Sequence, residues 1–328
     1  MFLAGDIGGT KTNLAFFAVE GGRLVPVAEG TYPSRHYPEL DQILRDFLGK
    51  NPHQAERVCL GIAGPVRQGR VTTPNLPWVI DAARLQADLG TGPVTLLNDL
   101  EANAHGLAAL GPDDFVVLNT GTPAAGNAAL ISAGTGLGEA GLYWDGRRHH
   151  PFASEGGHAD FAPRNGLERE LAAYLVGRFG HVSYERILSG PGLKNVYDFV
   201  RRREGREDEL PRLMERLGVS DASAAVSLAG LGGQSELCRD ALDLFVSIYG
   251  AEAGNLALKM LATGGVYLGG GIAPKLLPAL HGPGFLDAFR DKGRMRPLME
   301  SIPVRVVRNE KTALLGAARY AAGLHEIP

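Results

Sequence analysis

The chain has 328 residues, room for two domains of ordinary size, and its 45% apolar and 21% charged content builds sizeable cores and excludes global disorder. Lys plus Arg total 33 against 36 Asp plus Glu, and the resulting formal charge of -3 argues against a broad nucleic-acid surface. No apolar run reaches roughly 18 residues, no basic-then-apolar leader opens the chain, and Cys59 and Cys238 lack partners at ligand spacing. The expectation is a reduced, cytoplasmic protein without a membrane span or a structural zinc.

Phe2 to Asp6 is an apolar run ending on a carboxylate, followed by Ile7-Gly8-Gly9-Thr10-Lys11-Thr12. Asn13 to Val19 and Arg23 to Glu29 read as strands around the Gly21-Gly22 hairpin signal, so the chain opens as a meander. Tyr37 to Leu48 sets Leu40, Ile43, Leu44 and Phe47 at helical spacing. Val58 to Ala63 reads as a strand, as does Val94 to Leu97, which ends at Asn98-Asp99 before a helix over Leu100 to Leu110. This predicts a mixed sheet covered by helices. The order then recurs. Phe115 to Leu118 and Ala128 to Ser132 are strand-like, the Gly134-Thr135-Gly136 turn follows, and Glu139 to Trp144 is the next strand. Residues 165–260 carry helical patterns, with Leu237, Ala241, Leu244, Phe245 and Ile248 on one face. Val266 to Leu268 is a strand running into Gly269-Gly270-Gly271, with a helix over Leu276 to Leu280, and Thr312 to Ala322 forms a last helix.

Several of these segments have the composition that chemistry needs. The Gly8-Gly9 turn lets backbone approach a ligand, Thr10 and Thr12 add hydroxyls, and Asp6 suits Mg²⁺ directly or through water. Taken alone the segment is equally an ordinary glycine hairpin. Gly134-Thr135-Gly136 and Gly269-Gly270-Gly271 occupy similar strand-end places, and three such turns favour nucleotide binding. Asp99 at the end of an apolar strand is either a helix N-cap, with Glu101 completing the arrangement, or a carboxylate with a task. In Ser154-Glu155-Gly156-Gly157-His158 a carboxylate and an imidazole flank two glycines and suit a hydroxyl-rich ligand. His149 and His150 read as surface residues, and Glu185 by itself is an unremarked helical glutamate.

Together these segments resemble the bacterial glucokinase family, a branch of the actin, hexokinase and heat-shock chaperone ATPase superfamily. The resemblance rests on Gly5-Asp6-Ile7-Gly8-Gly9-Thr10, Gly61-Ile62-Ala63-Gly64-Pro65, Asn75-Leu76-Pro77-Trp78 and Leu97-Asn98-Asp99-Leu100-Glu101-Ala102. It continues through Glu155-Gly156-Gly157-His158, Glu185-Arg186-Ile187-Leu188-Ser189-Gly190-Pro191-Gly192 and Gly269-Gly270-Gly271-Ile272, in that order. The cysteine-rich zinc motif usual in the related ROK branch is absent, so the zinc-free branch is implied.

The resemblance implies a fold class of α/β with two domains of the ribonuclease H-like, actin-like ATPase fold. Each would hold a mixed five-stranded sheet with helices, and the active site would lie in the cleft between them. Residues 1–110 plus 311–328 would form the small domain and 111–310 the large one. The implied activity is transfer of the γ-phosphoryl of ATP to the 6-hydroxyl of D-glucose, with Mg²⁺, by a cytoplasmic homodimer without nucleic-acid or membrane partners. The alternatives are a kinase of another hexose, one using ADP or polyphosphate, or a non-catalytic sugar-binding regulator. Asp99 is the implied base, and Asn98, Glu155, His158 and Glu185 are the implied partners of the other sugar hydroxyls. Asp6 supports Mg²⁺, Gly8, Gly9, Thr10, Lys11 and Thr12 with Thr135 and Gly136 serve the phosphates, and Gly270 and Gly271 line the adenosine. The particular role of Lys11 stays open.

Overall fold

The computed structural model describes residues 1–324; residues 325–328 of the expected small domain lie outside the described residues. The chain opens with strands β1 (Phe2–Ile7), β2 (Lys11–Glu20) and β3 (Arg23–Pro33), then helix α1 (Leu40–Lys50) and strands β4 (Arg57–Ile62), β5 (Arg70–Thr72) and β6 (Val79–Asp81). Helix α2 (Ala82–Leu89), strand β7 (Val94–Asn98) and helix α3 (Asp99–Gly106) follow, then strands β8 (Phe115–Asn119), β9 (Ala128–Ala133), β10 (Leu137–Trp144) and β11 (His149–Ser154). The helical stretch comprises α4 (Gly166–Phe179), α5 (Gly190–Arg203), α6 (Leu210–Leu217), α7 (Ala222–Leu231) and α8 (Glu236–Met260). The chain then passes through β12 (Gly265–Gly269), α9 (Leu277–Leu280), α10 (Pro283–Arg290), α11 (Arg296–Ser301), β13 (Val304–Val307) and α12 (Thr312–Ala321).

By packing, the chain divides into two compact units: Met1–Asp114 with Ala140–Ala153 and the chain from Asn309 onward, and Phe115–Glu139 with Ser154–Arg308. The expected blocks 1–110 plus 311–328 and 111–310 differ from this division at 111–114, at 309–310 and at Ala140–Ala153, whose strands β10 and β11 are nevertheless hydrogen-bonded into the sheet of β9 and β12.

Among the described residues the first sheet runs β3-β2-β1-β4-β7. Asp6 on β1 faces Asn13 of antiparallel β2 and Gly61 of parallel β4, and Ile62 of β4 stands beside Asn98 of parallel β7. Three parallel strands therefore bring Asp6 and Asn98-Asp99 to one carboxyl edge, the edge where open α/β sheets bind ligands. Neighbouring residues point to opposite faces. Leu3, Leu14, Phe16 and Leu60 pack with Ile43, Leu44 and Phe47 of α1 on one face. Ala4, Ala15, Phe17 and Cys59 pack with Ala313, Leu314 and Ala317 of α12 on the other. The smaller side chains of that second face let two helices lie close. Gly61 belongs to the same design, since a β-carbon there would stand 2.7 Å from Ala102 Cβ on α3.

The second sheet runs β11-β10-β9-β12-β13-β8, six strands where five were expected. Strand β8, expected over Phe115 to Leu118, pairs antiparallel with β13 and so covers backbone groups that would otherwise form an open edge, while β11 and β13 themselves were not read from the sequence. Gly269 of β12 stands beside Ser132 of parallel β9, so the second and third glycine turns leave the same sheet edge. The core of this unit gathers around α8, whose Leu237, Ala241, Leu244, Phe245 and Ile248 are buried. The turn after Gly271 does not open a long helix. Ala273–Leu276 is 3₁₀ and α9 is one turn, since Pro274 and Pro278 supply no N–H to extend it. No helix among the described residues is long and apolar enough to cross a membrane.

Candidate active site

In the first unit the glycine turn is tight: Gly8 N–H donates to Lys11 O at 2.9 Å. The brace is Ser34, which the sequence did not mark. Its hydroxyl donates to Gly8 O at 2.7 Å and its N–H to Thr10 O at 3.0 Å. Thr12, expected to offer its hydroxyl to phosphate, is fully buried with Oγ1 at 3.0 Å from Ser34 Oγ. It points into the strand pair and holds the turn instead. Thr10 and Lys11 are exposed at the turn. Gly8 and Gly9 line a small cleft with Ile7, Ala63, Thr73, Pro74, Asn75 and Leu76. The Asn75-Leu76-Pro77-Trp78 segment is pinned there by Thr73 Oγ1, which donates to Leu76 O at 2.9 Å, and by buried Trp78, which donates to Tyr37 O at 3.2 Å.

Asp6 lies beside this turn. Burial raises its carboxyl above the ordinary value, and Asn13 Nδ2, donating to Oδ2 at 3.4 Å, opposes that. Thr31 in turn donates to Asn13 Oδ1 at 3.0 Å, so the amide is oriented toward Asp6. A cation beside Asp6 would relieve the cost of its charge. Among the described residues no three His, Cys, Asp or Glu gather as a metal cage.

The two readings of Asn98-Asp99 prove compatible, because the cap falls one residue earlier than expected. Asn98 is the N-cap of α3, with Oδ1 accepting Leu100 N–H at 2.9 Å and Glu101 N–H at 3.4 Å. Glu101 accepts the Asn98 N–H in return, completing a capping box, while burial raises its own carboxyl. Asn98 Nδ2 also donates to Gly64 O at 3.1 Å. The amide expected on the sugar is therefore largely committed to backbone, and it fixes the strand-to-helix turn. Asp99 stands at the first helical residue, half-buried, its Oδ1 3.0 Å from Leu100 N.

In the second unit Glu155, His158 and Glu185 converge. His158 Nδ1 is 3.9 Å from Glu185 Oε1, and its Nε2 is 4.0 Å from Glu155 Oε2. Both gaps exceed hydrogen-bond reach, and a ligand hydroxyl about 2.8 Å from both members fits beside each. Glu185 sits in a 3₁₀ turn rather than on a helix, fixed by Leu137 N–H donating to its Oε2 at 3.0 Å and by Ser189 Oγ donating to Glu185 O at 2.7 Å. Gly136, expected at a phosphate, lies against that carboxylate: a β-carbon would come 2.5 Å from Glu185 Oε2. Exposed Thr135 crowns the turn, closed by Gly134 N–H donating to Gly136 O at 2.9 Å. Gly270 takes φ +79 and packs against Ala133 at the end of β9, with Gly271 exposed beyond it. This unit thus assembles two glycine turns and three sugar-competent side chains. His149 and His150 lie apart on β11, half-buried, and His150 Nε2 is 2.7 Å from Asp145 Oδ2.

A family model for glucokinases matches residues 3–324. The chain belongs to the glucokinase family. It is 41% identical to a glucokinase of Nostoc sp., over 99% of each chain, and 42% identical to one of Synechocystis sp., over 98% of each. Among solved structures it is similar to the glucokinase of an Antarctic psychrotroph, with a TM-score of 0.84 at 30% identity over 98% of each chain. A ROK family glucokinase from Streptomyces griseus, solved with glucose and AMPPNP, shares the fold at a TM-score of 0.68 and 22% identity, over 98% and 99% of the two chains. Membership of this family makes the chain an ATP-dependent sugar kinase.

Proposed function

We propose that this enzyme transfers the γ-phosphoryl group of ATP to the 6-hydroxyl of D-glucose, giving glucose 6-phosphate and ADP. The convergence of Glu155, His158 and Glu185 carries the reading, because a fixed array of hydroxyl partners is what discrimination among hexoses needs. Curated relatives at about 41% identity over the full chain bear the same activity in their names.

Asp99 accepts the proton of the attacking hydroxyl as the phosphorus–oxygen bond forms, so it needs no large pKa shift. Asn98 sets its position through the capping box. Glu155, His158 and Glu185 hold the remaining hydroxyls and orient the ring. Gly8, Gly9, Thr10 and Lys11, with Thr135 and Gly136, supply backbone and side-chain donors to phosphate oxygens, and Gly270 with Gly271 leaves space for the adenosine. Asp6 would hold Mg²⁺, which when bound neutralises charge on the phosphates. The reading includes two domains sharing one active site, a cytoplasmic location and a homodimer, the last tested by sedimentation at two protein concentrations.

A panel of hexoses crossed with ATP, ADP and polyphosphate tests the donor and the acceptor together. Glucose with ATP is expected to give the highest kcat/KM. A clear preference for another pair would replace this assignment, and binding of sugar without turnover would make the chain a regulator. In the same assay His158→Ala should raise the glucose KM by up to about tenfold, as loss of one hydrogen bond to the sugar worth about 0.5–1.5 kcal/mol implies, and leave the ATP KM near its starting value.

A further inference from the structure

Gly156, the second residue of the Glu155-Gly156-Gly157-His158 turn, rests on a carboxylate. A β-carbon at Gly156 would overlap Glu139 Oε2, and Gly156 N–H donates to Ser154 Oγ at 2.9 Å. Glu139, on β10, is 1% exposed, and its Oε1 has no hydrogen-bond partner among the described residues. Its hydrogen-bonding neighbour is another carboxylate, Glu252, wholly buried in the middle of α8. Two bare carboxylates in one buried site repel each other, so the pair retains a proton.

The surroundings decide which member carries it. Glu252 accepts Asn255 Nδ2 on Oε2 at 2.8 Å and has Lys259 Nζ at 3.3 Å from Oε1, two donors that favour its charged form. Glu139 receives no such donor. The proton therefore sits on Glu139, whose O–H donates to Glu252. Burial first, and the Glu252 charge next, push the Glu139 carboxyl up to about 8.

The other titratable groups around the pair are Tyr249 and Lys259 on α8, Tyr184 in the turn that carries Glu185, and Lys292 beyond α10. Tyr184 accepts from Asn255 Nδ2 at 3.0 Å, and burial pushes its phenol up. Lys292 Nζ donates to Asn255 Oδ1 at 2.7 Å; burial and Arg164 pull it down, against Glu252, Asp291 and Glu168. On the turn itself stand Glu155 and His158. One polar network thus runs from Lys292 through Asn255 and Glu252 to Glu139 and ends beneath Gly156.

We propose that Glu139 is a positioning residue for sugar recognition: its protonated carboxyl, hydrogen-bonded to Glu252, is the floor that holds the Glu155–His158 turn, and loss of that proton weakens glucose binding. The inference rests on the assignment of Glu155 and His158 to the sugar. Neither carboxyl of the pair touches the reacting atoms, so the effect falls on glucose KM rather than on the chemical step.

The test is the pH dependence of both Michaelis constants in the parent enzyme, Glu139→Gln and Glu139→Ala, measured from about pH 6 to about pH 9.5. A neutral amide at 139 still donates to Glu252 but has no proton to lose. The parent's glucose KM is expected to rise by about threefold or more above about pH 8 while its ATP KM stays level. Glu139→Gln should keep the parent's neutral glucose KM within about twofold and lose the alkaline rise, because the amide does not titrate, whereas Lys292 and the tyrosines are unchanged and would preserve any rise they caused. Glu139→Ala should raise glucose KM at all pH values by about fivefold. An alkaline rise retained by Glu139→Gln, a parent profile without one, or glucose and ATP constants rising together would each overturn the proposal. Where Glu139→Ala does not fold, the Gln variant alone decides. Glucose turnover by the parent with a raised glucose KM in His158→Ala upholds the sugar assignment independently, so failure here is told apart from failure there.

Discussion

At the scale of single residues, the proposed base Asp99 stands one residue beyond the cap, Asn98. Asn98 serves the helix and Asp99 is free of that duty; if it is the base we propose, Asp99→Asn should cut kcat by roughly 10²–10⁴-fold while the glucose KM changes little. Steady-state kinetics of that variant would point to another base if turnover stayed near normal. Glu139 makes a prediction about stability as well. Its folded pKa of about 8 lies above the ordinary 4.5, so the folded state binds the extra proton between those values. The stability tied to that proton is complete below the lower value, declines as pH rises, and is gone above about 8. Urea unfolding at about pH 5 and about pH 9 should show the parent losing ground against Glu139→Gln at the higher pH; a constant difference would contradict this.

At the scale of elements, short-range pattern carried well wherever packing reads one face. The spacing of Leu40, Ile43, Leu44 and Phe47 predicts α1, and all four are buried. The Gly21-Gly22 signal predicts the β2–β3 hairpin, where both glycines take positive φ. Three features had no local signature. The N-cap falls on Asn98 rather than Asp99 because both residues cap well, and only the register of β7 against β4 decides between them. Thr12 alternates inward as β2 continues, and its hydroxyl meets Ser34, a residue with no distinguishing neighbours in sequence. Glu139 is a charged residue of a type rarely buried, although strand alternation sets it on the face of buried Leu137, and its partner Glu252 arrives from a helix far along the chain. The Ser34 brace gives a further expectation. Ser34→Ala removes a buried donor to Gly8 O and leaves Thr12 Oγ1 without its partner, so it should destabilise by about 1–3 kcal/mol and raise the ATP KM with little effect on the glucose KM. Equal effects on both constants would mean that the turn serves the fold alone.

At the scale of the whole molecule, the apolar core of the second unit is a separate cluster from the two that sandwich the first sheet. Units with independent cores need not melt together. Calorimetry of the unliganded protein should give a calorimetric enthalpy larger than the van't Hoff value, and a single two-state transition would show the units to be thermodynamically one. The resemblance named the two-part α/β architecture from short motifs in order. Strands β11 and β13 of the second sheet were beyond it, since pairing between distant segments leaves little trace in local sequence.

Helix α12 closes one face of the first sheet and lies on α3, where Gly316 meets Ala102 and Gly106 meets Thr312. On the ribosome this sets a timetable. Strands β1, β2 and β4 and the helix bearing Asp99 emerge early, yet Ala4, Ala15, Phe17 and Cys59 stay bare on one side until α12 is synthesised, after the whole of the second unit. Amino-terminal segments ordinarily fold first during translation; here the earliest-made part is the last to become native. A growing chain therefore completes the unit with Glu155, His158 and Glu185 before α12 is there to seat the helix that bears Asp99, the proposed base.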